Sequence, residues 1–230
     1  LNALRREALS QMEALRTAVP ERRAFGFVPG EAVKNSAEKP LLTVSLHRLA
    51  QLSEALIALA PARVYLPAEL LPQLDLAPYR GRTEFFALLP RIYRTQDEPI
   101  LRALLEDGVK KGVTGVSIAN LGHLSLVRGL GVTLHGDWAL NIYNSAALSF
   151  WKKEGLASAC ASFELRDAQL RDLSKSLPCE AIVYGRLPLM ITENCLNANE
   201  SSCRYFKERP VSVPADGACA SAPELTDRRG

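Results

Sequence analysis

Apolar and polar positions alternate along this chain with two different periods, and the alternation is regular. Residues 3–18 (ALRREALSQMEALRTA) set Leu4, Ala8, Leu15 and Ala18 near one face, which predicts an amphipathic helix. Residues 20–40 carry three prolines and two glycines and read as a linker. From Leu41 onward, short runs rich in Val, Ile, Tyr and Phe predict strands at 41–46, 62–66, 84–89, 113–119, 131–135, 158–163 and 179–184. Helical patterns separate them, as at 48–59, 98–107 and 167–176. Strands recurring about every 20–30 residues with helices between them imply βαβ units and a parallel sheet. The runs are continuously apolar, as strands buried on both faces must be. Seven or eight such units fit a TIM-like (β/α) barrel, complete or incomplete, better than a doubly wound open sheet, which is the alternative.

The predicted organisation is an N-terminal helix and linker (1–40), a barrel-like domain (41–192) and a polar tail (193–230). A chain of 230 residues can bury a substantial core, and 47% hydrophobic with 23% charged residues is ordinary globular composition. Its net charge of +3 excludes a general cationic coat for nucleic acid but leaves room for a local basic patch. No apolar run reaches the roughly 20 residues of a membrane span, so no membrane partner is expected. The chain opens without Met and runs directly into the helix pattern, as expected of a processed chain or an excised piece rather than of one that starts with a signal peptide. Five cysteines, an odd number, argue against a secreted disulfide framework and for a cytoplasmic location. Cys160 and Cys179 lie in apolar runs and read as small core residues, whereas Cys195, Cys203 and Cys219 occupy the tail.

In a parallel barrel, chemistry collects after the carboxyl ends of strands. That rule selects His47, Glu69, Arg91, Asn120, His135, Asp137, Asn141, Asn144, Glu164, Tyr184 and Arg186. The densest group is 135–144 (HGDWALNIYN), with an imidazole, a carboxylate and two amides within ten residues. Its functional reading makes His135, Asp137, Asn141, Glu164 and Arg186 the catalytic candidates, the first four facing one cavity. Its plainer reading is a turn at Gly136, with Asp137 and Asn144 capping helices. There is no His-Glu-x-x-His, no Gly-x-Ser-x-Gly, no P-loop and no dinucleotide fingerprint, which removes several hydrolase and nucleotide-binding classes at the level of motif. In the tail, seven and then fifteen residues separate Cys195, Cys203 and Cys219. That spacing suits three unligated thiols or three thiolate ligands of an iron–sulfur cluster, which takes four.

Residues 180–195 (EAIVYGRLPLMITENC) resemble the signature region of the collagenase-like peptidases, family thirty-two among peptidases of unknown catalytic type. Glu180, Gly185 and Cys195 match its pattern, while Pro188 stands where the commonest form has its first cysteine. Stretches 1–9, 135–144, 162–165 and 225–230 are similar as well. The resemblance implies the C-terminal portion of a longer bacterial protein with a barrel fold. It implies a peptidase, or a redox enzyme that hydroxylates RNA bases with an iron–sulfur cluster. Cys195, Cys203 and Cys219 would be ligands of that cluster, which is incomplete in this stretch of chain. Expected partners are the remaining domains of the longer chain and an RNA or protein substrate, with Arg204, Lys207, Arg209, Arg228 and Arg229 near the thiols. The contrasting expectation is a non-catalytic structural or RNA-docking repeat of a larger enzyme.

Overall fold

A computed structural model of the chain describes residues 1–20, 26, 32–34, 39–188 and 191. Two units divide the chain, residues 1–30 and 31–230. The first contains α1 (Asn2–Thr17), which follows the predicted helix and stops just short of Pro20.

The second unit holds seven strands: β1 (Thr43–Ser45), β2 (Arg63–Pro67), β3 (Glu84–Leu88), β4 (Gly115–Ile118), β5 (Thr133–Gly136), β6 (Ser158–Cys160) and β7 (Cys179–Glu180). Between them run α2 (Glu54–Ala58), α3 (Glu98–Lys111), α4 (His123–Val127), α5 (Ser145–Lys153) and α6 (Asp167–Asp172), together with short 3-10 turns. All six neighbouring pairs are parallel, and the order in space is the order in the chain. A doubly wound sheet reverses direction at a switch point. This sheet never does, so the open-sheet alternative is excluded.

Cross-sheet contacts show how far the sheet curls. Arg63 on β2 reaches the hydroxyl of Ser158 on β6 at 3.0 Å, and Tyr65 on β2 reaches Glu180 on β7 at 2.7 Å. In a flat sheet β2 and β6 would stand four strand spacings apart, about 19 Å. Only a sheet rolled into an incomplete TIM-like barrel brings these side chains together.

The two faces of the rolled sheet differ. Val64, Leu66, Phe85, Ala87, Val116 and Ile118 point outward into a core shared with Leu101 and Leu105 of α3 and Leu148 and Trp151 of α5. Each such buried leucine contributes about 1.5–3 kcal/mol relative to exposure. Alternate residues point inward: Tyr65, Phe86, Ser117, His135, Ser158 and Cys160, all buried. Gly115 belongs to this inner face for a steric reason. A Cβ there would come within 2.2 Å of the Phe86 ring, so β4 must begin with glycine for Phe86 to lie across the interior. At the end of α3, Gly112 takes a left-handed conformation (φ 114°) and returns its N–H to Gly108, ending the helix before β4.

Several elements are shorter than predicted. The 48–59 pattern splits because polar side chains capture the backbone. Gln51 accepts from the N–H groups of His47 and Arg48, and Ser53 then caps a new helix through Leu56 N–H. The sixth strand stops at Cys160, and the 167–176 helix stops at Asp172. The seventh stops at Glu180, leaving Ile182, Val183 and Tyr184 exposed. Among the described residues, no helix is long and apolar enough to cross a membrane.

Candidate active site

Inside the barrel, five side chains from four strands form a closed polar ring. Arg63 Nη1 donates to Tyr65 Oη at 3.2 Å and to Ser158 Oγ at 3.0 Å. Tyr65 Oη donates in turn to Glu180 Oε1 at 2.7 Å. Having accepted from Arg63, Ser158 donates to His135 Nδ1 at 2.9 Å. That leaves the imidazole proton on Nε2, which faces Glu180 Oε2 at 3.4 Å. An ionised carboxylate only accepts, so Glu180 beside Nε2 draws the imidazole proton there and leaves Nδ1 to accept from Ser158, while the guanidinium donates to Tyr65 and Ser158. Arg63 is itself held by Glu84 at 3.3 Å, by Glu180 at 3.5 Å and by the Phe86 ring beneath it at 4.1 Å.

Electrostatics follow from burial. The His135 imidazole is pushed down to about 3, first by desolvation and then by the Arg63 charge, so it is neutral at working pH. Burial raises the Glu180 carboxyl, against the hydrogen bonds and charge of Tyr65, Arg63 and Thr43. Burial also drives the thiols of Cys160 and Cys179 up, away from thiolate. Both cysteines are free, as the core reading of these two positions expects.

A second group stands at the barrel mouth, after the carboxyl ends of β3, β5 and β6. Arg91 lies over the ring of Trp138, 4.5 Å from its centroid. Trp138 packs edge to face with Phe163, the centroids 5.5 Å apart. Beside them Asp137 accepts from Trp138 N–H at 2.8 Å. Burial raises the Asp137 carboxyl to about 6, with the Trp138 N–H and the Arg91 charge pulling it down and Glu180 pushing it up. A carboxyl that exchanges its proton near neutrality is suited to acid–base work.

The sequence-selected residues fall into separate places. His135 belongs to the interior ring and Asp137 to the mouth. Asn141 is exposed in the left-handed region (φ 49°), closing the 3-10 turn that Asp137 opens. Asn144 caps α5 by accepting from Ala147 N–H at 2.9 Å, so the capping reading holds for both Asp137 and Asn144. Glu164 and Arg186 are exposed, and among the described residues no hydrogen bond or ion pair joins Asn141 or Glu164 to His135 or Asp137. Cys195, Cys203 and Cys219 lie outside the described residues. Sequence reasoning passed over Arg63, Tyr65 and Ser158 as site residues, and over Trp138 and Phe163. The readable signal was polar spacing inside a strand: Arg63 and Tyr65 alternate with Val64 and Leu66, which marks a polar inner face.

Asp137→Asn is expected to stabilise the protein at pH 8 by on the order of 1–2 kcal/mol, because it keeps the cap and removes a half-buried charge. The carboxyl ionises near 3.8 when unfolded and near about 6 when folded, so between those values only the folded chain holds the proton. The native protein therefore loses stability as pH rises through that window. The gain from asparagine should shrink as pH falls from 6 towards 4. Denaturant unfolding at pH 8 and pH 4.5 measures it, and a loss at pH 8 would show that the ionised carboxylate ties the mouth together.

Curled parallel strands, a polar interior and chemistry-bearing side chains beyond the strand carboxyl ends define an α/β protein of the incomplete TIM-barrel class. The family model described as Peptidase family U32 matches residues 67–221, and the chain belongs to that family. No curated protein matches the chain. Among solved structures, an enolase-superfamily member from Listeria innocua is similar at 14% identity, over 64% of this chain and 39% of that one, with a TM-score of 0.37. The chain thus spans well under half the length of that protein.

Proposed function

We propose that this barrel holds an unpaired RNA base at its mouth, within a family U32 protein that acts in RNA base hydroxylation. The observation that carries the reading is the group of Arg91 over the Trp138 ring with Phe163 edge to face beside it. Guanidinium planes and aromatic rings are what single-stranded bases stack on, and Asp137 stands beside them to meet a base edge by hydrogen bond. Phe163 is 44% exposed and Ile92 and Leu121, which follow β3 and β4, are exposed too, so the rim presents apolar surface to an incoming base. Among the described residues a peptidase role finds less support: the Cys160 thiol is buried and un-ionised, and the neutral His135 is bonded to Ser158 at Nδ1 and faces Glu180 at Nε2.

The described residues do not offer the donor set of an iron–sulfur cluster. Among them, no group of three or more His, Cys, Asp or Glu residues could hold a metal ion, and Cys160 and Cys179 sit on opposite faces of the sheet. The thiolates proposed for a cluster remain Cys195, Cys203 and Cys219. A second reading, carried by the same Arg91–Trp138–Phe163 group, is that this repeat docks RNA for chemistry performed elsewhere in a larger enzyme.

Both readings require base recognition, and titration of the intact protein with RNA tests it. A single-stranded oligonucleotide is expected to bind at least about tenfold tighter than a duplex of the same sequence, since duplex bases offer no free face for stacking. Equal binding of the two, or none of either, would refute the assignment.

A further inference from the structure

The last strand has little ladder of its own. Two register pairs join β7 to β6, Ala159 with Cys179 and Cys160 with Glu180. So short a strand gains little stability from main-chain pairing. Residues 181–184, directly after it, are exposed, so no buried side chain anchors the chain there. Glu180 is different. Its carboxylate accepts from Tyr65 at 2.7 Å, pairs with Arg63 at 3.5 Å and faces His135 Nε2 at 3.4 Å. Those partners sit on β2 and β5, so one side chain ties the end of the sheet back towards its beginning.

We propose that the Glu180 carboxylate is a clasp that closes the seam between β7 and β2, and that it holds the last strand in the barrel. The main-chain pairs alone would let β7 open locally while the rest of the barrel stays folded, which is how weakly anchored segments behave. Cys179 reports the state of this strand directly. Its side chain packs part-buried against the outer core, and it is exposed when β7 lifts. Cys160, on the neighbouring strand and buried on the inner face, is the internal reference.

The experiment is alkylation of the intact native protein with iodoacetamide, followed by peptide mass mapping so that each cysteine is read separately. Glu180→Ala is expected to speed labelling of Cys179 by about tenfold while Cys160 stays protected, as local opening requires. Glu180→Gln should fall between, because an amide can replace some hydrogen bonds but not the charge facing Arg63. Tyr65→Phe keeps the ring and removes one donor, so about a threefold acceleration is expected; it also carries the test should Glu180→Ala fail to fold. Unchanged labelling of Cys179 in the folded variants would overturn the clasp. So would equal acceleration at Cys179 and Cys160, which would mean global rather than local opening.

Discussion

Replacing Arg63 with methionine is expected to lower the stability of the barrel by about 3 kcal/mol, the cost of removing one partner from a largely buried ion pair. Methionine keeps most of the alkyl volume over Phe86, so the loss is electrostatic rather than a cavity. The side chains of Arg63 and Glu180 are only 18% and 22% exposed, so solvent cannot take over the missing charge. His135 cannot take it over either, because burial keeps the imidazole neutral. Without the guanidinium, the Tyr65 and Ser158 hydroxyls lose a donor and the Glu180 carboxylate loses its charged partner. The double variant Arg63→Met with Glu180→Gln should recover much of the deficit, since it removes the stranded charge as well. Denaturant unfolding of the parent protein, Arg63→Met, Glu180→Gln and the double variant measures this coupling. A loss under about 1 kcal/mol for Arg63→Met would place the pair with exposed, screened salt bridges and undo the account of the interior.

The barrel was legible in the sequence because its strands are buried on both faces. Continuous runs such as EFFALL and VTGVSIA have few alternatives at that length and spacing. The ends of elements were less legible. Strand propensity continues through Ile182, Val183 and Tyr184, but propensity cannot supply the neighbouring strand that those residues would need. The 48–59 pattern is helical by period, and Gln51 and Ser53 break it by bonding to the backbone, a competition that periodicity does not register. At the site, Asp137 and Arg91 were visible because polar residues after apolar strands stand out. Arg63, Tyr65 and Ser158 were not, because they lie inside strands where the rule about carboxyl ends does not look. Only the curl of the sheet brings β2 against β6 and β7. His135 shows the converse: its place in the sequence suggests acid–base chemistry, whereas its surroundings hold it neutral, with Nδ1 bonded to Ser158 and Nε2 3.4 Å from Glu180.

Trp138→Ala is expected to weaken binding of a single-stranded RNA oligonucleotide by about tenfold or more, because stacking on an aromatic side chain is worth about 1–3 kcal/mol per base. Trp138 lies half-buried in the turn after β5, outside the main core, so its loss should leave the fold intact. It also removes the surface on which Arg91 rests, so a base loses both the ring and an ordered guanidinium. The other tryptophan, Trp151, is buried in the core and provides the contrast: its truncation should unfold the barrel rather than act on binding alone. The deciding measurement is the RNA dissociation constant of the intact protein and of Trp138→Ala at one fixed salt concentration, with the melting temperature of each recorded alongside. A tenfold or greater loss of affinity at an unchanged melting temperature is the predicted result, and equal affinity in the two proteins would contradict a base-binding mouth.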